Sequence, residues 1–158
     1  MNAFEALGLN ATLVQSITDL GFTEPTPIQQ QAIPVLLSGT TDFVGLAQTG
    51  TGKTAAFGLP LIQLINPADR FPQALIVCPT RELCLQITND LQDFKKHSRG
   101  VNVEAVYGGA SITMQIRNLR QGVQIVVATP GRLIDLIERK AIDLQKVKML
   151  CLMKQMKC

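Results

Sequence analysis

The sequence predicts an α/β domain built on a mainly parallel sheet with helices on both faces. Short apolar runs alternate with helical patterns along almost the whole chain, which is typical of βαβ units and a parallel sheet. A glycine-rich stretch, residues 47–54, joins one predicted strand to one predicted helix, and turn residues follow the other strands. Ligands of such sheets bind at the carboxyl ends of the strands, so we expect the functional residues there.

Two helices are expected before the glycine-rich stretch. Asn10 or Thr12 opens the first, which ends at Gly21, because short polar side chains accept hydrogen bonds from the free N–H groups of a first turn. Thr26 caps the second helix, with proline at its first position and glycine just past its end.

Strands and helices then alternate to the end of the chain. We expect strands at 43–47, 74–78, 101–107 and 123–128, and a further strand beginning near residue 147. The helices between them are expected at 53–65, 81–94, 112–120 and 132–139, with Thr80 and Ser111 as caps. Gly58 and Pro60 argue against a helix near the middle of the first of these segments, which otherwise has a helical pattern.

Bulk properties restrict the class of protein. A chain of 158 residues with 46% hydrophobic residues is one domain or a piece of a larger one. No apolar run could span a bilayer and no secretory signal is visible, so we expect a cytoplasmic protein without membrane contact. The four cysteines form no C-x-x-C pair, and we expect Cys78 and Cys84 in the core. Without Lys154 and Lys157 the net charge of +3 falls to +1, so any nucleic-acid contact must be local.

Residues 47–54, Ala-Gln-Thr-Gly-Thr-Gly-Lys-Thr, read as a loop that wraps the phosphates of a nucleoside triphosphate. Gly50 and Gly52 permit backbone angles that let successive N–H groups point into one nest at a helix N-terminus. Lys53 is expected to reach the β- and γ-phosphates, and the Thr54 hydroxyl to hold Mg²⁺. The alternative is a plain glycine-rich turn before a helix.

Three groups of residues follow the later strands. They are 79–83 (Pro-Thr-Arg-Glu-Leu), 107–109 (Tyr-Gly-Gly) and 129–133 (Thr-Pro-Gly-Arg-Leu). Backbone N–H groups, hydroxyls and arginines in such turns suit the phosphates of a nucleic-acid backbone. Singly each could be an ordinary cap or turn, and Tyr107 is expected to pack in the core, but their repetition at one sheet edge favours a binding surface.

A further segment, residues 21–29, precedes the phosphate loop. The Gln29 amide has donors and acceptors that suit the edge of adenine, and Phe22 offers a stacking face. Taken alone, this segment would be a helix cap with a buried phenylalanine.

Together these motifs resemble the N-terminal RecA-like domain of a DEAD-box ATP-dependent RNA helicase of the bacterial type. Residues 21–29 resemble the family's Q motif, with Phe4 as the upstream aromatic, and residues 47–54 resemble motif I, including its alanine. The three later groups resemble motif Ia, the GG motif and motif Ib. The resemblance runs in order from about residue 4 to residue 150, and implies a RecA-like P-loop three-layer sandwich.

The resemblance also implies roles for individual residues. Nucleotide contacts with ATP and Mg²⁺ are implied for Phe4, Phe22, Gln29, Thr49, Gly50, Thr51, Gly52, Lys53 and Thr54, with Lys53 and Thr54 also catalytic and Thr54 the metal ligand. Contacts with the backbone of single-stranded RNA are implied for Pro79, Thr80, Arg81, Gly108, Gly109, Thr129, Pro130, Gly131 and Arg132.

The chain departs from the family where the Asp-Glu-Ala-Asp motif is expected. After residue 150 it reads Cys-Leu-Met-Lys-Gln-Met-Lys-Cys. Deleting one G from a coding sequence for Leu-Val-Leu-Asp-Glu-Ala-Asp-Glu-Met can give residues 150–158 as they stand. We therefore predict a partial ATP-binding domain over 1–150, Q motif at 2–30 included, and an out-of-frame tail over 151–158; a native basic tail or a cloning scar is the alternative.

This departure determines which activity is expected. The resemblance implies ATP hydrolysis coupled to RNA unwinding in the intact family, but a missing general base typically costs ~10²–10⁴-fold in rate, and the family's second RecA-like domain is absent from this chain. We expect an inactive N-terminal fragment of a helicase. The alternatives are a non-catalytic nucleotide- or RNA-binding fragment, or a P-loop ATPase of another branch, such as a DNA translocase.

Overall fold

The computed structural model describes residues 2–39 and 51–154. The predicted strand at 43–47 and the first part of the phosphate loop, including Thr49 and Gly50, lie outside the described residues. Contacts divide the chain into two compact units, which we call unit 1 (residues 1–64 and 90–99) and unit 2 (residues 65–89 and 100–158). Each unit is described by itself.

Unit 1 is helical in its described part. Its helices are α1 (Ala3–Ala6), α2 (Ala11–Asp19), α3 (Pro27–Ser38) and α4 (Thr51–Leu64), and it also contains the carboxyl end of α5 (Arg81–Phe94). Asn10 caps α2, as one of the two predicted alternatives has it. Thr26 caps α3 in a capping box with Gln29, and Gly39 ends it in the left-handed conformation, with φ +67°, which glycine adopts without steric cost.

Helix α4 continues through Gly58 and Pro60, so the helix predicted over this segment is confirmed. Burial explains the continuity, since Leu59 and Ile62 are buried together with both alanines of the preceding turn and helices in proteins are stabilised mainly by packing. A Cβ on Gly58 would lie 2.8 Å from Cδ2 of Leu91. The glycine therefore lets α5 approach this helix closely.

Unit 2 contains a four-stranded sheet. Its strands are β1 (Ala74–Val77), β2 (Val103–Val106), β3 (Ile125–Ala128) and β4 (Met149–Leu152), in the spatial order β2-β3-β1-β4. All neighbouring pairs are parallel, and Ala74 pairs with Ile125 on one side and Met149 on the other. The predicted parallel sheet is confirmed.

Three helices connect the strands in chain order: α5 lies between β1 and β2, α6 (Ile112–Arg120) between β2 and β3, and α7 (Pro130–Glu138) between β3 and β4. Ser111 caps α6 as predicted, and α7 begins two residues before its predicted start because proline fits the first position of a helix. A core of Leu75, Val106, Val126, Leu133 and Leu136, packed against apolar residues of α6, joins the sheet to these two helices. This core therefore fixes the positions of β1, β2 and β3, and with them the carboxyl ends of these strands.

Strand β4 carries the predicted boundary between residues 150 and 151. Its backbone pairing with β1 continues across that boundary, because Cys151 lies opposite Ile76 and Leu152 opposite Val77. Leu150 and Leu152 are 63% and 72% exposed. Residues 155–158 of the predicted tail lie outside the described residues.

Cys78 and Cys84 are buried, as predicted. The Cys84 thiol donates to the carbonyl of Val127, 3.2 Å away. A hydrogen bond between the two thiols lowers the pKa of Cys84 and raises the pKa of Cys78.

In residues 2–39 and 51–154, no helix is long and apolar enough to cross a membrane.

Candidate functional site

Gln29 connects the start of α3 to the start of α4 in unit 1. Its side chain is 1% exposed. Oε1 accepts a hydrogen bond from the Thr26 N–H at 2.9 Å, and Nε2 donates to the carbonyl of Gly52 at 3.1 Å. The amide predicted to recognise a base is therefore fixed beside the start of α4, and one N–H of Nε2 has no partner among the described residues.

Phe4 and Phe22, the two predicted aromatic residues, lie together. Their ring centroids are 6.3 Å apart, and the Phe22 ring meets Phe94 edge to face at 6.2 Å. Phe4 is buried and Phe22 is half-buried. The pairs fall within the range of favourable aromatic contacts, so the cluster holds residues 21–29 against α5 through Phe94, which the sequence did not identify.

Thr54 lies on the first turn of α4 and is buried. Its hydroxyl shares a hydrogen bond with the carboxyl group of Asp90, whose pKa is raised by burial. Asp90 Oδ2 is buried without a hydrogen-bond partner among the described residues. Hydroxyl and carboxylate oxygens are ligands that Mg²⁺ prefers, so this pair fits the metal predicted for Thr54.

Three further residues that the sequence predicts to bind the nucleotide are among the described residues. The backbone of Thr51 begins α4, and Gly52 and Lys53 are half-buried in its first turn. Asp90 was not identified from the sequence. Its position beside Leu91 and three residues after Ile87 places a carboxyl group on the apolar face of α5, and this pattern could have indicated it.

In unit 2, the turn after β1 meets the loop after β2. The Arg81 guanidinium lies 5.2 Å from the centroid of the Tyr107 ring, which is a cation–π distance. The Thr80 hydroxyl accepts from the N–H of Leu83 at 3.2 Å, as expected for a cap, and Pro79 is exposed. Tyr107 is half-buried at the sheet edge, so its predicted core position is wrong.

Gly108 and Gly109 continue the loop after β2, and both are exposed. Gly109 has φ +88°, and a Cβ at this position would lie 3.0 Å from Nη1 of Arg81. The second glycine thus combines a left-handed backbone with a close approach of an arginine.

The turn after β3 completes this edge. The Thr129 N–H donates to the carbonyl of Val106 at 3.0 Å, which ties the turn to the end of β2, and the Thr129 hydroxyl makes no cap bond to α7. Pro130 and Gly131 are exposed. Arg132 is half-buried, and its Nη1 donates to the carbonyl of Ala110 at 3.1 Å and to Oε1 of Gln115 at 3.0 Å.

The edge of unit 2 therefore brings together all three predicted groups of residues. Hydroxyls, exposed glycines and two arginines surround the carboxyl ends of β1, β2 and β3. Neither arginine forms an ion pair with a carboxylate in the part of the chain that the structure describes. Such an arrangement can bind phosphate groups through charge and N–H donors.

Comparisons with known proteins identify similar chains. Residues 26–152 match the family model of the DEAD/DEAH box helicase. The chain is 52% identical over 149 residues to the ATP-dependent RNA helicase DeaD of Escherichia coli (strain K12), covering 94% of this chain and 24% of that protein. It is also 52% identical over 149 residues to the DEAD-box ATP-dependent RNA helicase CshA of Streptococcus pneumoniae serotype 4, covering 28% of that protein.

A solved structure has the same fold. The structure of S. cerevisiae Dbp5 bound to RNA and ADP BeF3 matches with a TM-score of 0.85 and 34% identity, covering 96% of this chain and 38% of that one. The predicted RecA-like fold is thereby confirmed. The chain spans about a quarter of the length of the curated relatives it matches.

Proposed function

This chain belongs to the DEAD/DEAH box helicase family, and from that premise we propose that it binds an adenine nucleotide in unit 1 and the backbone of single-stranded RNA at the sheet edge of unit 2. The proposal concerns binding. ATP hydrolysis and RNA unwinding belong to the much longer relatives, whose names describe them as ATP-dependent RNA helicases.

The Gln29 amide carries the nucleotide half of the proposal. It is buried, held at both ends, and fixed beside Gly52 at the start of α4. A buried amide that offers a base one N–H, which no described residue accepts here, discriminates strongly between bases, because a base without the matching acceptor leaves that donor unpaired. Phe22, supported by Phe4, supplies an aromatic surface for the base.

The phosphates are proposed to bind at Gly52, Lys53 and Thr54, with Thr49, Gly50 and Thr51 contributing on the evidence of their sequence alone. Mg²⁺, when bound, neutralises phosphate charge. Thr54 would hold it, and the Asp90 carboxyl group beside Thr54 has a buried oxygen without a hydrogen-bond partner among the described residues, which offers a further oxygen for a cation.

The RNA half of the proposal rests on the edge of unit 2. Thr80, Arg81, Gly109, Thr129 and Arg132 are proposed to contact phosphate and sugar, together with the neighbouring residues Pro79, Gly108, Pro130 and Gly131. Two observations support it: the arginines have no carboxylate partner among the described residues, and the similar Dbp5 chain is bound to RNA. Backbone contacts carry little base information, so we expect weak sequence preference. A cytoplasmic location is proposed from the similarity to the bacterial RNA helicases.

The sequence contains no Asp-Glu-Ala-Asp motif. We therefore propose nucleotide binding with little hydrolysis, since the motif's carboxylates would secure the metal and activate water. RNA should not raise the turnover of this chain.

Calorimetric titration with ADP and Mg²⁺ tests the nucleotide site. Gln29→Ala should weaken ADP binding by about tenfold or more, the equivalent of one lost hydrogen bond. Thr26→Ala is the matched control because it also removes a cap from α3, with a similar loss of about 0.5–2 kcal/mol in stability, but keeps the Gln29 amide. Equal ADP affinities of Gln29→Ala and Thr26→Ala would contradict the assignment.

A further inference from the structure

Gln115 is a buried polar residue on the apolar side of α6, only 5% exposed. Its neighbours Ile112, Ile116 and Leu119 pack against the core of unit 2. The two ends of its amide bind different segments: Nε2 donates to the carbonyl of Tyr107 at 3.2 Å, and Oε1 accepts from Nη1 of Arg132 at 3.0 Å. The side chain thus connects the loop after β2 to the turn after β3.

Arg132 is fixed on one side only. Its Nη1 also donates to the carbonyl of Ala110 at 3.1 Å, so both hydrogens of that nitrogen are used. No hydrogen bond to a described residue is made by Nε or Nη2 of Arg132. The guanidinium has five N–H donors, so an orientation set through Nη1 leaves the Nε–Nη2 edge for two parallel bonds to an anion.

The amide group of Gln115 matters for its chemistry as well as for its position. A carboxylate at residue 115 would also accept from Arg132, but it would cancel the guanidinium charge and could not donate to the Tyr107 carbonyl. A neutral amide orients the arginine and leaves its charge for a phosphate. An apolar side chain would suit the surrounding face of α6 but would leave Nη1 with one partner fewer.

We propose that Gln115 is a positioning residue for nucleic-acid backbone binding, which holds Arg132 at a fixed place relative to the loop after β2 without neutralising it. The inference rests on the proposed function of the unit 2 edge. It assigns no contact between Gln115 and RNA; the residue acts through Arg132.

A double-mutant cycle tests this inference on the full chain. Binding of a fluorescein-labelled oligouridylate is measured by anisotropy across a series of salt concentrations for wild type, Gln115→Met, Arg132→Ala and the double variant. We expect Gln115→Met to weaken binding several-fold and to lower the steepness of the salt dependence by up to about 0.7, the value for one single-strand phosphate contact. In the Arg132→Ala background the same change should have no further effect.

Three results would overturn the inference. Gln115→Met could weaken binding equally in both backgrounds, which would show a general structural role. It could bind as wild type while Arg132→Ala binds weakly. Arg132→Ala could leave affinity and salt dependence unchanged, and this result alone would also refute the RNA site itself.

Gln115→Glu provides a second variant of the same size. It should fold, since it keeps an acceptor for Arg132, and should reduce the salt dependence as Arg132→Ala does. The circular dichroism spectrum and the urea denaturation midpoint serve as the folding control for every variant. A Gln115→Glu chain that folds by these measures and binds RNA with the salt dependence of wild type would contradict the charge argument.

Discussion

The backbone of Gly109 controls the position of Arg81 at the proposed RNA edge. With φ +88° it occupies a region that costs an L-residue roughly 1–2 kcal/mol. A methyl group there would also lie 3.0 Å from Arg81 Nη1 and force the guanidinium to move. Both effects follow from one missing side chain.

We therefore expect Gly109→Ala to lower the free energy of unfolding by about 1 kcal/mol and to weaken oligouridylate binding by displacing Arg81. Urea denaturation and fluorescence anisotropy measure the two effects. Gly108→Ala is the matched control for the free energy of unfolding, because nothing lies within 4 Å of its Cβ position and its backbone is outside the left-handed region. Equal free energies of unfolding for the two alanine variants would refute the role given to the Gly109 backbone.

For single residues, the sequence showed which residues lie at the proposed site more readily than which side chains they contact. Arg81, Gly109 and Arg132 could be predicted because each lies in a turn after an apolar strand. The contact of Arg81 with Tyr107 could not, since it depends on which strands lie close together. Gln115 was missed for a similar reason: a polar residue on an apolar helical face is visible in the sequence, but its partners are not.

Secondary-structure elements followed their local signals closely. Caps at Asn10, Thr26 and Ser111 fixed three helix starts within one residue of the structure. The strands are shorter than predicted, because apolar side chains continue beyond the paired backbone. Val101 and Val123 are buried, yet each lies two residues before its strand begins.

The order of the strands was beyond the reach of the sequence. Alternating elements predicted a parallel sheet, but not that β1 would lie between β3 and β4. That order depends on long-range packing. It also decides which turns are neighbours, and it sets the turn after β3 against the end of β2 through the bond from Thr129 to Val106.

Strand β2 carries a half-buried acid whose ionisation opposes folding. Glu104 lies opposite Val126 in the sheet, and burial raises the pKa of its carboxyl above the ordinary value of 4.5, although a hydrogen bond with Asn118 acts in the other direction. A pKa that is higher in the folded state means that the folded chain binds the proton more tightly. Stability from this group is therefore lost as pH rises through the folded pKa and recovered as pH falls towards 4.5.

We expect Glu104→Gln to be more stable than wild type at pH 7, because it removes the cost of the buried charge. The advantage should shrink on acidification and disappear below about pH 4.5, where the glutamate is protonated in both states. Denaturant titrations between pH 4 and pH 8 measure it. Glu138→Gln, which changes an exposed glutamate on α7, is the control, and a stability difference for Glu104→Gln that does not vary with pH would refute the explanation.

For the whole molecule, the similarity to relatives that are named RNA helicases favours the predicted RNA helicase relationship over the alternative of a DNA translocase. The described residues contain two sets of groups that suit the proposed ligands, one in each unit. Unit 1 holds the Gln29 amide for the base and the Thr54–Asp90 pair for the metal, and unit 2 holds Arg81 and Arg132 for the RNA phosphates. Neither set requires catalysis in order to bind, which is why binding is the central proposal.

Base recognition by Gln29 is tested by a comparison of ADP and GDP as ligands of the wild-type chain, each titrated calorimetrically in the presence of Mg²⁺. A buried amide that reads the base should favour adenine by more than about tenfold, because guanine would leave its donor and acceptor mismatched. We expect measurable binding of ADP and much weaker binding of GDP. Equal affinity for the two nucleotides would contradict this expectation.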